Sequence, residues 1–305
     1  CRAALDARTG LFEAIREATH RATAAVDDLV DLADPYDGFI RTLPASPFLP
    51  ALLAACDVPA VSHGVERMGP KYGLTHRQVL RAAGLAVDHS PPEAAARISD
   101  PRIGWAYVDQ KAFCPRLHDL AGLRTLIVKR PVLTTTETLA GPVRGRERTH
   151  LVTGYVHKPY PRIYALLARH AGFDSALIVR GVEGGVTPSL CQTGRVVRYV
   201  GSGAEEATEF RPEALGIHHA VRAARMPGSS PEDEADEAAI DHAAVAKAAA
   251  ERGLAALEGE AGPTLDSLAY AAALVLWHLG REPSMESALA ATRAALARGA
   301  ALERL

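Results

Sequence analysis

The chain has 305 residues, 48% hydrophobic and 23% charged, and a formal net charge of −2. That length implies either one large α/β domain or two domains, and the composition is that of a soluble globular protein. So balanced a charge excludes a uniformly basic nucleic-acid binder and leaves only a local patch for that role.

Four cysteines, Cys1, Cys56, Cys114 and Cys191, stand far apart with no Cys-x-x-Cys spacing. They read as buried or incidental thiols in a reducing compartment, with no disulfide frame or zinc site. The longest apolar run, Leu268–Trp277, is half of the roughly 20 residues that a membrane span needs. No signal peptide opens the chain, so a cytoplasmic protein is expected, without membrane partners. The first residue is Cys1 rather than Met, so part of the native N-terminus is expected to be missing.

In chain order, residues 1–33 read as helical, with Leu11, Ile15, Ala18 and Ala22 on one face. Asp34-Pro35-Tyr36-Asp37-Gly38 is a turn cluster. A helix-like run from Leu49 to Cys56 follows, then a brief strand at Ala60-Val61 leading into Ser62-His63-Gly64. Thr75 is a helix N-cap, and Ser90-Pro91-Pro92-Glu93 repeats that start signal. Ile103–Val108 reads as a strand, Pro115 opens a helix, and Gly141–Arg148 is a basic loop.

The stretch Thr149 to Gly185 carries the clearest signal. Leu151–Val156 has the length and β-branching of a buried strand. Pro161 suits a helix start, Ile163, Leu166, Leu167 and His170 recur at helical spacing, and Gly172 is the stop. Ala176–Val179 is a second strand, which such a crossover makes parallel to the first. Both carboxyl ends then meet one edge, where open α/β sheets bind ligands. That edge holds His157, Lys158, Arg180 and Glu183, and the reading is an anion site.

Further on, Val196–Val200 reads as a strand and Gly228–Asp241 as a solvated or mobile connection. The remainder is helical, with Leu268–Leu279 hydrophobic nearly all round and hence buried. His118, His150 and His157 fit no standard metal spacing. No Gly-x-Ser-x-Gly occurs, and Cys114 and Cys191 lack adjacent bases.

Ser62-His63-Gly64, Lys71, the HLVTGYVHKPYP strand, the RGVEGG loop and the C-terminal segment from Gly262 together resemble the anthranilate phosphoribosyltransferase family. The resemblance covers nearly the whole chain and is nearest to the divergent, anthranilate phosphoribosyltransferase-like branch. It implies a small helical domain (1–33 and 70–100) beside a large α/β domain (34–69 and 101–305) whose mostly parallel sheet is flanked by helices. The active site would lie in the cleft between them. It further implies phosphoribosyl pyrophosphate as donor, magnesium as cofactor, an aromatic amine as acceptor, and a homodimer formed through the helical domain.

The family's glycine-rich diphosphate loop falls on Ala33–Gly38, where only Asp37 and Gly38 look alike; Pro35 removes an amide donor and Tyr36 adds bulk. Ser46 stands in for the hydroxyls of the next motif, and His63 and Gly64 for the middle of Lys-His-Gly-Asn. Lys71, Lys158 and Arg180 would bind phosphate, Glu183 would carry magnesium, and Arg116 or His118 would grip the acceptor. Two functions follow. One is a pentosyltransferase with a phosphoribosyl donor and an altered acceptor, working by positioning and charge stabilisation. The other is a catalytically inactive nucleic-acid binder whose basic patch comprises Lys129, Arg130, Arg144, Arg146, Arg148, Lys158 and Arg162.

Overall fold

The computed structural model describes residues 2–127, 131–227 and 241–305. Its strands, in chain order, are β1 (Ala22–Thr23), β2 (Asp28–Ala33), β3 (Ala60–Gly64), β4 (Trp105–Asp109), β5 (Val143–Arg144), β6 (Arg148–Gly154), β7 (Ser175–Val179), β8 (Gly194–Val200) and β9 (Glu206–Phe210). One sheet runs β4-β3-β2-β6-β7-β8-β9, and β1 pairs with β5 apart from it. From β4 to β7 all neighbours are parallel; β8 and β9 are added antiparallel. The principal helices are α1 (Arg2–Ala18), α2 (Leu49–Ala55), α3 (His76–Ala82), α4 (Pro91–Ser99), α5 (Tyr160–His170), α6 (His242–Leu257), α7 (Pro263–His278) and α8 (Met285–Ala297). The class is α/β, with helices on both faces of a mostly parallel sheet.

Alternation along the strands sends side chains to the two faces of the sheet, where they join three apolar clusters. Val30, Leu32, Ala60, Tyr107, Val152 and Leu177 join residues of α2, α6, α7 and α8 on one face. Leu151, Ala176 and Ile178 join Tyr164, Leu167 and Ala168 of α5 on the other. A strand buried on both faces loses its polar alternation, which explains the near-continuous apolar runs. Helix α7 is buried nearly all round, as its composition implies. Thr75 and Ser90 cap α3 and α4, each through a capping box, and Gly172 turns left-handed at φ 76° after α5.

Several boundaries differ from the sequence reading: β6, read as 151–156, runs Arg148–Gly154, and the basic loop at 141–148 holds β5. Residues 22–33 are not helical: α1 stops at Ala18, and β2 becomes an interior strand of the sheet. Leu29, Val30, Leu32 and Ala33 are all buried, a continuous pattern that an aligned helical face at Leu11, Ile15 and Ala18 had masked. The division at residue 33 therefore cuts across the sheet, and α3 and α4 of the 70–100 stretch pack on β3 and β4 of that same sheet. The strand expected at 103–108 begins at Trp105, because Gly104 turns at φ 75°. The Gly228–Asp241 connection lies outside the described residues except for Asp241, which caps α6. No helix is long and apolar enough to cross a membrane among the described residues.

Candidate functional site

The strand order places a switch point between β2 and β6. From β2 the chain steps outward to β3 and β4, then returns to β6 and steps the other way to β7. Ligands of open α/β sheets sit beyond the carboxyl ends at such a point. Here the crevice is filled by protein. The loop after β7 closes on itself through Val182 N to Thr187 O (2.9 Å) and a Gly181–Pro188 bridge. Its glycines then lie across the crevice: a Cβ on Gly154 would stand 2.1 Å from Gly185 O, and one on Gly185 3.0 Å from Asp34 Oδ1.

The segment corresponding to the diphosphate loop is knitted into the interior. Asp34 Oδ2 meets His76 Nε2 at 2.6 Å and accepts a short bond from Ser46 Oγ, while Oδ1 accepts the Val186 amide at 2.6 Å. Burial works to raise the Asp34 carboxyl; the His76 ring, the Ser46 hydroxyl and the Val186 amide outweigh it and hold it below the ordinary carboxylate value. On the sheet's other face, His63 bonds Asp31 Oδ1 through Nε2 (2.8 Å) and the Tyr36 hydroxyl through Nδ1. Burial, then the nearby Glu137 charge, push the Tyr36 phenol well above its ordinary range. Gly38 sits at φ 73°, and a Cβ there would lie 2.6 Å from Leu74 O. Its glycine is required by packing, not by an anion.

Open space lies on the outer side of the glycine loop. A cavity of about 300 Å³ is lined by Arg41, Thr42, Tyr155, Val156, Arg180, Gly181, Val182, Glu183, Ser189, Gln192, Thr193 and Arg222. Tyr155 and Val156 follow β6, Arg180 follows β7, and Arg41 comes from the loop after β2. Arg222 lies on a segment stitched to that loop by Leu43 N–Ala224 O (2.8 Å) and Met226 N–Arg41 O (3.2 Å). The Arg222 guanidinium donates twice to Gln192 Oε1, at 3.0 and 2.6 Å. Among the described residues, the Arg41 and Arg180 side chains form no hydrogen bond or ion pair, and both are exposed. Burial raises the Tyr155 phenol, while the Arg195 and Arg180 charges work to lower it.

The sequence-predicted residues divide accordingly. Arg180 and Glu183 line the cavity, but Lys71 and Lys158 do not. Lys71 Nζ points inward to Gly38 O (2.6 Å), Glu183 O (3.4 Å) and Asp37 Oδ1 (3.5 Å). It neutralises a buried carboxylate and satisfies carbonyls, so its phosphate role is not supported. Lys158 is exposed on the turn before α5. Asp37, Ser46, His63 and Gly64 are buried in the networks just described or, for Gly64, against Tyr107. Arg116 and His118 follow β4 at the far edge of the sheet, away from the cavity.

Glu183 does not fit a magnesium ligand. Its carboxylate accepts the backbone amides of Ile40 (2.9 Å), Arg41 (3.1 Å) and Thr42 (2.9 Å) and the Thr42 hydroxyl (2.8 Å). Among the described residues, no three His, Cys, Asp or Glu side chains group as metal ligands.

The nucleic-acid patch also divides. Arg144 packs 4.0 Å from the centre of the Phe173 ring and bonds Ala171 O, and Arg148 pairs with Asp28. Both, with Arg146, precede or open β6, whereas Lys158 and Arg162 lie beyond its carboxyl end. Seven strand residues separate the two groups by about 20 Å. Lys129 and Arg130 lie outside the described residues.

Arg41, Thr42, Tyr155, Gln192 and Arg222 were not anticipated. Only the basic character of Arg41 and Arg222, and the place of Tyr155 and Gln192 next to strand ends, signalled them.

No family model matches the chain. Curated relatives and solved structures do. The anthranilate phosphoribosyltransferase of Acidithiobacillus ferrooxidans is 26% identical over 295 residues, covering 97% of this chain and 80% of that protein. The Thermus thermophilus enzyme superposes with a TM-score of 0.72 at 22% identity, over 97% of this chain and 81% of that one. The Saccharomyces cerevisiae enzyme, in complex with PRPP and Mg, also gives 0.72, at 13% identity over 98% and 78% of the two chains.

The chain is thus similar over nearly its whole length to anthranilate phosphoribosyltransferases, and it shares their fold. It spans from 60% to 80% of the length of the curated relatives it matches. In this chain the switch-point crevice is occupied by the glycine loop, and the exposed Arg41 and Arg180 line the cavity on the loop's outer side.

Proposed function

We propose that this chain is a pentosyltransferase-type protein that takes a phosphorylated ribose donor, of the phosphoribosyl pyrophosphate class, through the arginine cavity. The acceptor differs from anthranilate, since Arg116 and His118 lie at the far sheet edge. One observation carries the reading: Arg41, Arg180 and Arg222 face a single cavity beside the switch point, and two of the three guanidinium groups have no protein partner among the described residues.

A guanidinium presents a planar fork of donors matched to phosphoryl oxygens, and each charged bond is worth about 1.5–3 kcal/mol. Three of them would hold the leaving diphosphate and stabilise the charge that grows on it as the bond to the anomeric carbon loosens. Proton transfer plays little part in such a displacement, which accords with the lack of any carboxylate or histidine free to act as base among the described residues that line the cavity. Magnesium, if it takes part, would arrive with the donor.

Calorimetric titration with phosphoribosyl pyrophosphate tests this. Wild-type binding that weakens about 10- to 100-fold in Arg180→Ala is expected. Absence of binding to the wild type would refute the reading. Pyrophosphate release in the presence of a panel of aromatic amines would then identify the acceptor.

A further inference from the structure

We infer that Glu183 is the clasp of a metal-independent diphosphate site: it locks the Ile40–Thr42 loop so that Arg41 joins Arg180 and Arg222, and the arginines supply the charge that a metal would otherwise supply. This rests on the arginine cavity being the donor site.

Four donors converge on one carboxylate, three of them consecutive backbone amides. A carboxylate has about four lone-pair positions, so this coordination exhausts it. Glu183 holds a left-handed backbone, φ 52°, unusual for a residue with a long side chain. That conformation turns its side chain across to the loop. The Lys71 ammonium beneath is committed to Gly38 O and Asp37 Oδ1, with the Glu183 carbonyl at 3.4 Å. Among the described residues, Glu183 is the only acidic one lining the cavity, and its charge is spent on amides. What faces the cavity is three fixed positive charges, which suits a fully ionised diphosphate without a divalent cation.

Inorganic pyrophosphate serves as the probe, titrated into the full chain with about 5 mM magnesium and again with excess EDTA. The two wild-type affinities are expected to agree within about threefold. Glu183→Gln keeps the shape but offers only one accepting oxygen, so with that oxygen on the Arg41–Thr42 side the Ile40 amide faces an NH2 group and loses its acceptor. It is expected to weaken binding by about tenfold or more, equally in magnesium and in EDTA. Thr42→Val removes a single donor and should give a smaller loss of the same metal-independent kind.

Binding seen only with magnesium, or a Glu183→Gln loss confined to the magnesium arm, would overturn the clasp and make Glu183 a metal ligand, leaving the arginine cavity standing. No binding of pyrophosphate or phosphoribosyl pyrophosphate in either arm would overturn both. Should Glu183→Gln fail to fold, the wild-type comparison and Thr42→Val decide the matter alone.

Discussion

Acid should destabilise this protein through a buried histidine far from the arginine cavity. His278, at the end of α7, bonds Ser175 Oγ through Nε2 at 2.8 Å, and the same hydroxyl meets His150 Nδ1 at 2.8 Å. His278 is 3% exposed. Burial first, then the His150 and Arg198 charges, lower its imidazole from 6.5 to about 3. The unfolded chain therefore takes up this proton well before the folded one. The stabilisation is complete above pH 6.5 and is lost progressively as the pH falls toward 3. At about 1.36 kcal/mol per pH unit, the loss between pH 7 and pH 5 is about 2 kcal/mol. His150 is shifted down as well, chiefly by burial, so it acts in the same direction.

Urea unfolding at the two pH values, for the wild type and His278→Gln, isolates the contribution. The wild type should lose about 2 kcal/mol more than the variant over that interval. Parallel losses in the two proteins would refute the assignment.

Three further outcomes follow from packing. Gly38→Ala forces a side chain into φ 73° and to within 2.6 Å of Leu74 O; chemical denaturation should show a loss of about 2–3 kcal/mol. Tyr36→Phe leaves His63 Nδ1 buried without its hydroxyl partner and should cost about 1–3 kcal/mol, with donor affinity in calorimetry unchanged, since Tyr36 does not line the arginine cavity. Leu274→Ala empties a site that is 1% exposed in α7 and should lower stability by about 2–5 kcal/mol with little change in pyrophosphate affinity.

Much of the scaffold was legible because local rules and tertiary packing agreed. The unit from β6 through α5 to β7 announced itself by a β-branched run, a proline start and a glycine stop, and the capping boxes of α3 and α4 needed only Thr75-x-x-Gln78 and Ser90-x-x-Glu93. β2 was not legible. Its buried Asp31 and flanking Asp28 and Asp34 made an interior strand look like the end of an amphipathic helix, and only the tertiary partners His63 and His76 explain the Asp31 and Asp34 carboxylates.

The site was half legible. Parallel β6 and β7 did bring Tyr155 and Arg180 to one edge, but Lys158, expected to share that pocket with Arg180, does not line it. Sequence alone could not show that Lys71 would turn inward to Asp37, or that Glu183 would reach back to the amides of Ile40 to Thr42. Both depend on which backbone groups lie opposite, and those are set by long-range chain crossings. Arg222 came into the cavity by the same route, through the pairing of residues 41–43 with 224–226.

The glycine loop after β7 also offers a means of sorting relatives. Its path requires backbone alone at positions 154, 181 and 185, where a Cβ would come within 2.1, 1.6 and 2.8 Å of other atoms. A homologous chain bearing side chains at these three places would have to route that loop elsewhere and leave the β2–β6 crevice vacant. Side chains at these three places in a relative would thus mark a loop that takes another path from the one seen here, before any of its cations are compared.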